Sequence, residues 1–276
     1  MGGGGDGLQS PPGTRCGSAG RYGRRKVMRT LIAIPVYNER KHVTRVLERV
    51  REYASDILVI DDGSTDDTPM LLAKQPVEVI RHAENRGYGH SLLDAFRWAR
   101  VDDYDWVITM DCDEQHEPAA IPRFLAAAAR GEADVISGSR YLDIACEGEC
   151  PPEDRRAINA EITGEINDRL GLSLTDAFCG FKAYRVQALS GLRLNVQGYA
   201  FPMQFWVQAV AHGLTIREIP VKLIYNDLNR TFGGPLDDPK VRLGHYREEL
   251  HAELRRSADR LPVGALADVA TCCQLG

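Results

Sequence analysis

The chain has 276 residues, 43% of them hydrophobic, and a formal net charge of -5. That is apolar material for one large α/β core, with too little length for a second full domain beside it. The acidic balance excludes a general nucleic-acid surface, which needs a basic stripe to neutralise phosphates, and no apolar run approaches the roughly 20 residues of a membrane span.

Residues 1–27 are rich in Gly, Pro, Ser and Arg, a composition that cannot offset the entropy of its own ordering and predicts a disordered basic tail. Met28 offers an alternative start. The cluster Arg21, Arg24, Arg25, Lys26 and Arg29 suits peripheral contact with an anionic lipid face. From Thr30 the pattern becomes regular. Residues 31–34 are a short apolar run, followed by the loop Pro35-Val-Tyr-Asn-Glu39 and a helical period through Val43, Val46, Leu47 and Val50. Residues 57–60 repeat the strand, and a polar loop carrying Asp61, Asp62 and the turn residue Gly63 follows. Pro69 then opens a helix at a position where proline is tolerated. A third strand at 77–80 leads through Asn85-Arg-Gly-Tyr-Gly89 into a helix over 91–100, and a fourth strand spans 106–110. These runs lack polar alternation and alternate with helices, which predicts a mostly parallel central sheet with helices on both faces.

Farther along, residues 216–221 read as the last strand, and 225–235 as either a lid or an ordinary surface loop. Pro239 starts a helix whose apolar stripe, Val241, Leu243, Tyr246, Leu250 and Leu254, packs on the rest. The expected division is a tail at 1–27, a catalytic domain at 28–235, and a C-terminal helix and tail at 236–276. The seven cysteines are scattered and odd in number, as expected of reduced thiols in a cytoplasmic protein. Cys146 and Cys150 have the spacing of half a zinc site, but no second pair follows.

In open α/β sheets ligands sit beyond the carboxyl ends of the strands. Every polar cluster so far, at 37–39, 61–62, 85–89 and 111–115, occupies such an end. Carboxylates gathered in one crevice repel each other unless a cation is present, and an all-oxygen donor set suits Mg2+ or Mn2+. The loops lack both the P-loop cradle and the Gly-x-Gly-x-x-Gly fingerprint, so a kinase or a dehydrogenase is not indicated.

Six motifs in order, Ile34-Pro-Val-Tyr-Asn-Glu39, Val59-Ile-Asp-Asp-Gly-Ser64, Asn85-Arg-Gly-Tyr-Gly89, Met110-Asp-Cys-Asp-Glu-Gln115, Gly138-Ser-Arg-Tyr141 and Asp176-Ala-Phe-Cys-Gly-Phe-Lys182, resemble the motif series of family 2 glycosyltransferases. The resemblance covers residues 30–225 and is nearest to the dolichol- or polyprenyl-phosphate mannosyltransferase-like group. It implies a Rossmann-like, A-type glycosyltransferase fold and a metal-dependent, inverting transfer of a hexose from a nucleotide-diphosphate sugar to a polyprenyl phosphate. By similarity Pro35, Tyr37, Glu39, Asp62 and Arg86 would bind the nucleotide sugar, and Asp111, Asp113 and Gln115 would meet the metal and the diphosphate. Plainer readings are helix capping for Glu39 and an Asx turn for Asp62.

A lipid phosphate is already ionised and needs only positive groups, for which Arg140, Arg155, Arg156 and Lys182 are candidates. Ordinary ion pairing is the plainer role for each. A hydroxyl acceptor would need a base, and Asp176 is best placed for it. Asp113, Arg140 and Asp176 are therefore the catalytic candidates. A hydroxyl-using transferase and a non-catalytic sugar-nucleotide binding module remain the alternatives, the latter because Cys179-Gly-Phe-Lys182 and Gln204 depart from the family's Ser-Gly-Phe-Arg and glutamate. A lipid acceptor implies a cytoplasmic protein, peripheral at the inner membrane face. No motif specifies an oligomeric state.

Overall fold

The structure, a computed structural model, describes residues 1–3, 27–143, 151–224 and 234–269. Most of the basic tail, Cys146 and Cys150, the segment 225–233 and the pair Cys272 and Cys273 lie outside the described residues. Among the described residues seven strands form one sheet: β1 (Thr30–Val36), β2 (Ile57–Asp61), β3 (Glu78–Arg81), β4 (Trp106–Thr109), β5 (Val135–Ser139), β6 (Lys182–Arg185) and β7 (Ile216–Pro220). The helices are α1 (Val43–Val50), α2 (Thr68–Leu72), α3 (Tyr88–Val101), α4 (Ile121–Arg130), α5 (Glu153–Leu170), α6 (Val186–Leu189), α7 (Phe201–Ala211) and α8 (Pro239–Arg256).

The strand order is β3-β2-β1-β4-β6-β5-β7. β1 pairs in parallel with both β2 and β4, so the order of the strands reverses there and opens a crevice at their carboxyl ends. β6 runs antiparallel to β4 and β5. This makes the sheet mostly parallel, as the alternation of strands and helices predicts, with one reversed strand that the apolar pattern does not announce.

β1 shows why the sheet is covered on both faces. Its residues alternate sides, with Leu31 and Ala33 in one core cluster and Ile32, Ile34 and Val36 in the other. The first cluster gathers the apolar faces of α3, α5, α7 and α8, including Leu92, Ile162, Trp206 and Leu250. The second is filled from α1 and α4 by Val43, Leu47, Ile121 and Phe124. A helix is held to its face by the spacing of its apolar residues: Ile158, Ile162, Ile166 and Leu170 of α5 recur every fourth position and are all buried. The predicted stripe of α8 buries Tyr246, Leu250 and Leu254, whereas Val241 stays exposed. Its N-terminus is capped by Asp238, whose carboxylate accepts from the amides of Lys240 and Val241. β3 forms one edge of the sheet and is largely exposed. No helix among the described residues is long and apolar enough to cross a membrane.

Candidate active site

The crevice is a cleft of about 890 Å³ at the carboxyl ends of β1, β2 and β4. On leaving β1 the chain presents Pro35, Tyr37 and Glu39 to it. Asn38 between them adopts a left-handed conformation (φ 57), one that Asn tolerates because its short polar side chain bonds locally. Here its Oδ1 accepts the amides of Thr65 and Asp66, and its own amide donates to Ser64 Oγ. The loops after β1 and β2 are thus laced together. Glu39 is buried, and its backbone carbonyl accepts the amides of His42 and Val43 at the entry to α1.

Asp62, at the end of β2, organises the third wall. One carboxylate oxygen accepts the Arg86 amide (2.8 Å) and faces His82 Nδ1 (2.6 Å), and the other accepts the Gly87 amide (2.8 Å). The 85–89 loop is therefore held by its backbone and not by the Arg86 side chain, which is exposed. Gly89 cannot carry a side chain: a Cβ there would stand 2.2 Å from the Val196 carbonyl oxygen. Buried Gln204 accepts the amides of Asn195 and Val196 and donates to Asn195 and Glu253. The position that departs from the family pattern thus braces the segment against which the 85–89 loop packs.

At the end of β4, Asp111, Asp113 and Gln115 all line the cleft. Asp113 Oδ1 accepts the Gln115 amide, and the Asp111 amide donates to His116 Nδ1. Gly180 lies against Asp111 so closely that a Cβ would meet its carboxylate at 2.7 Å and the Tyr88 hydroxyl at 2.8 Å. Burial, and then the Asp111 carboxylate to which it hydrogen-bonds, push up the Tyr88 phenol, which stays a donor. Two carboxylates and an amide make an all-oxygen donor set, with a glycine clearing the space beside one of them. These residues fit a hard divalent cation.

The reversed strand β6 delivers the other motif. Its preceding loop brings Asp176 under Arg140, which follows β5. Arg140 Nε and Nη2 grip the two Asp176 oxygens at 2.6 and 2.9 Å, the Arg140 amide adds a third bond, and Asn159 Nδ2 and the Phe178 amide add two more. Burial alone would raise the Asp176 carboxyl, but the Arg140 guanidinium and the Asn159 amide outweigh it and hold it at about 2. Glu218 of β7 accepts from the Thr175 amide and hydroxyl and from the Asp176 amide, which fixes this loop from beneath. The Asp176 carboxylate is thus fully buried against Arg140, with both oxygens occupied.

Arg140 and Arg155 line the cleft. Arg156, one residue along α5, is exposed and does not line it. Lys182 is buried behind Gly180, donates to the Cys179 carbonyl, and has its Nζ 5.3 Å from the centre of the Trp206 ring. Burial lowers its pKa. Pro35, Tyr37, Glu39, Asp62, Asp111, Asp113, Gln115, Arg140 and Arg155 therefore come together, whereas the side chains of Arg86, Arg156, Asp176 and Lys182 stand behind or outside the cleft surface.

The motifs assign no role to Tyr88 or Asn159, both of which line the cleft. Tyr88 was visible inside its motif, and the four-residue spacing of isoleucines around Asn159 marks α5 without marking the amide. His90, which flanks the 85–89 motif, gathers with His82 and Asp94, and their potential ligand atoms lie within 4.8 Å of one another.

The family model for Glycosyl transferase family 2 matches residues 31–193. The chain is 33% identical over 218 residues to an undecaprenyl-phosphate mannosyltransferase of Micrococcus luteus, covering 74% of this chain and 87% of that protein. It is 31% identical over 234 residues to a polyprenol monophosphomannose synthase of Mycolicibacterium smegmatis, covering 79% and 87%. The fold is similar to that of glucosyl-3-phosphoglycerate synthase from Mycobacterium tuberculosis, crystallised with Mg2+ and uridine diphosphate, with a TM-score of 0.63 at 17% identity over 86% of this chain and 82% of that one.

Proposed function

Because the chain belongs to glycosyl transferase family 2, and is therefore a glycosyltransferase, we propose that it moves a hexose from a nucleotide-diphosphate sugar to a polyprenyl phosphate, inverting the anomeric carbon. The names of its relatives favour mannose as the hexose and a polyprenyl chain on the acceptor. The observation that carries the reading is a cleft that holds a carboxylate pair, Asp111 and Asp113, together with the arginines Arg140 and Arg155; a third, Arg242, also lines it but is tied to Asp154 and the Leu236 carbonyl. One pair suits a metal-bridged diphosphate and the other suits an anionic nucleophile.

Asp111, Asp113 and Gln115 would hold Mg2+ or Mn2+, which supplies Lewis-acid stabilisation of the departing diphosphate. Pro35, Tyr37, Glu39 and Asp62 form the nucleoside end of the cleft, with the 85–89 loop as its border. Arg140 meets the acceptor phosphate in a fixed orientation because Asp176 holds the back of its guanidinium. An oxygen of that phosphate forms a bond to the anomeric carbon while the bond from that carbon to the diphosphate oxygen breaks. The nucleophile has no proton to lose, so the step requires no base. The acceptor is a membrane lipid, so the reading carries a peripheral membrane contact with it.

The test is to incubate the protein with radiolabelled hexoses on different nucleotides, a polyprenyl phosphate and Mg2+ or Mn2+, and then to extract into organic solvent. Label is expected in the lipid phase, dependent on the metal and carrying the inverted anomer. Transfer only to hydroxyl acceptors would refute the acceptor assignment. Donor binding without consumption would identify a binding module instead.

A further inference from the structure

We propose that His82, His90 and Asp94 form a second divalent-metal site, outside the donor cleft, that takes an imidazole-binding transition ion of the Zn2+ class. His82 lies just beyond β3. His90 and Asp94 stand one turn apart on the first half of α3 and so share a face. His82 Nε2 is 2.9 Å from Asp94 Oδ2, and His90 Nε2 is 3.4 Å from the same oxygen. The two rings stand edge to face with centroids 5.4 Å apart, so their nitrogens converge on the carboxylate without the rings stacking.

The hydrogen bonding of the cluster leaves one buried nitrogen, His90 Nε2, without a hydrogen bond. His82 Nδ1 faces Asp62 Oδ1 at 2.6 Å, and because a carboxylate only accepts, the ring must carry its proton there. His82 Nε2 faces Asp94 Oδ2 at 2.9 Å, and by the same reasoning it carries a proton in the metal-free arrangement, one that a bound ion would displace. His90 Nε2 is buried and makes no hydrogen bond, its 3.4 Å approach to Asp94 notwithstanding. Burial holds the His90 ring below the ordinary imidazole value, which favours the neutral ligand form. The three potential ligand atoms lie within 4.8 Å of one another.

Ligand atoms about 2.0–2.1 Å from a tetrahedral Zn2+ stand roughly 3.3 Å apart. The His90–Asp94 distance already matches this and His82 stands 2.9 Å from the same oxygen, and with all three atoms within 4.8 Å of one another the two imidazoles would close around the ion. The Asp62–His82 bond is the carboxylate–histidine support that orients metal-bound imidazoles. Two imidazoles and one carboxylate favour Zn2+, Co2+ or Ni2+ over Mg2+. Arg97 occupies the other Asp94 oxygen at 2.8 Å, which leaves Oδ2 for the ion.

The site has a consequence for the cleft. Asp62 also holds the Arg86 and Gly87 amides, so an ion that anchors His82 stiffens the loop bordering the donor. Zinc occupancy should therefore tighten nucleotide binding through a residue that never touches zinc.

The experiment uses the full chain carrying Asp113→Ala, which breaks the carboxylate pair at the cleft, stripped of metal and free of nucleotide. Calorimetric titration with Zn2+ and visible absorption with Co2+ are expected to show one ion per chain, tetrahedral cobalt bands, and a raised melting temperature. Adding His90→Gln or, separately, Asp94→Ala to that background should weaken binding by at least the 10- to 100-fold that loss of a mere supporting partner costs. Absence of stoichiometric binding to the Asp113→Ala chain overturns the site without reference to any further variant. So does binding that neither added substitution weakens while circular dichroism shows the native fold. Because no nucleotide is present, failure here leaves the transferase reading untouched.

Discussion

Replacing Asp176 by Asn separates the two acceptor chemistries. The carboxylate is 0% exposed, and it accepts three bonds from Arg140 and one each from Asn159 and Phe178. Asparagine keeps one acceptor oxygen and turns an NH2 toward the Arg140 fork, so the guanidinium loses its charge partner and meets a donor. Removing one partner of a buried pair costs about 3–5 kcal/mol. The Arg140 side chain retains 22% exposure, so water takes up part of the loss and the lower end, about 3 kcal/mol, is expected. At an unfolding entropy of about 2.1 cal/mol/K per residue, that loss lowers the melting temperature of the 276-residue chain by roughly 5 °C.

Catalytically, a loosened Arg140 should raise the acceptor KM about tenfold, the worth of one charge-assisted bond, and leave donor affinity unchanged. The assay is a thermal melt followed by circular dichroism, together with steady-state kinetics at varied acceptor. If Asp176 were the base for a hydroxyl acceptor, kcat would fall by about 10²–10⁴ with little change in KM. A variant with the wild-type melting temperature, unchanged acceptor KM and collapsed kcat would refute the positioning role and the phosphate acceptor together.

Asp113→Ala should abolish metal-dependent donor binding while leaving the fold intact; unchanged affinity and metal response in a titration with nucleotide would remove the carboxylate pair from the donor site. Gly180→Ala places a methyl group 2.7 Å from the Asp111 carboxylate and 2.8 Å from the Tyr88 hydroxyl, so donor binding should weaken at least tenfold, and calorimetry reading the native affinity would contradict the close approach. Acid should destabilise the protein in a defined window. The Asp176 carboxyl is held at about 2 against an unfolded value of about 3.9; its contribution is therefore complete above that value and is lost as pH falls from about 4 toward 2. Urea midpoints of Asp176→Asn should accordingly fall less steeply than wild type between pH 5 and 3, and parallel curves would contradict the depressed value.

The sequence alone determined the alternation of strands and helices, because a strand covered on both faces must be apolar throughout whatever its neighbours, and a helix must repeat its apolar residues at its own period. It also determined that Tyr37, Glu39, Asp62, Asp111 and Asp113 share one crevice, since each lies just past a strand whose direction the βα alternation sets. Tertiary structure decided what depends on pairing between distant segments. The loop 176–181 reaches the cleft only because β6 inserts antiparallel between β4 and β5, and its own short length carries no sign of that direction. The motif alone presents Asp176 as a base, whereas the fold pairs its carboxylate with Arg140, 36 residues away. The motif alone presents Lys182 as a phosphate ligand, whereas the register that pairs it with Thr109 buries its side chain. The triad of His82, His90 and Asp94 was invisible for the same reason: a strand end and a helix face share no period, and only the packing of α3 beside β2 brings their nitrogens and oxygen within reach of a single ion.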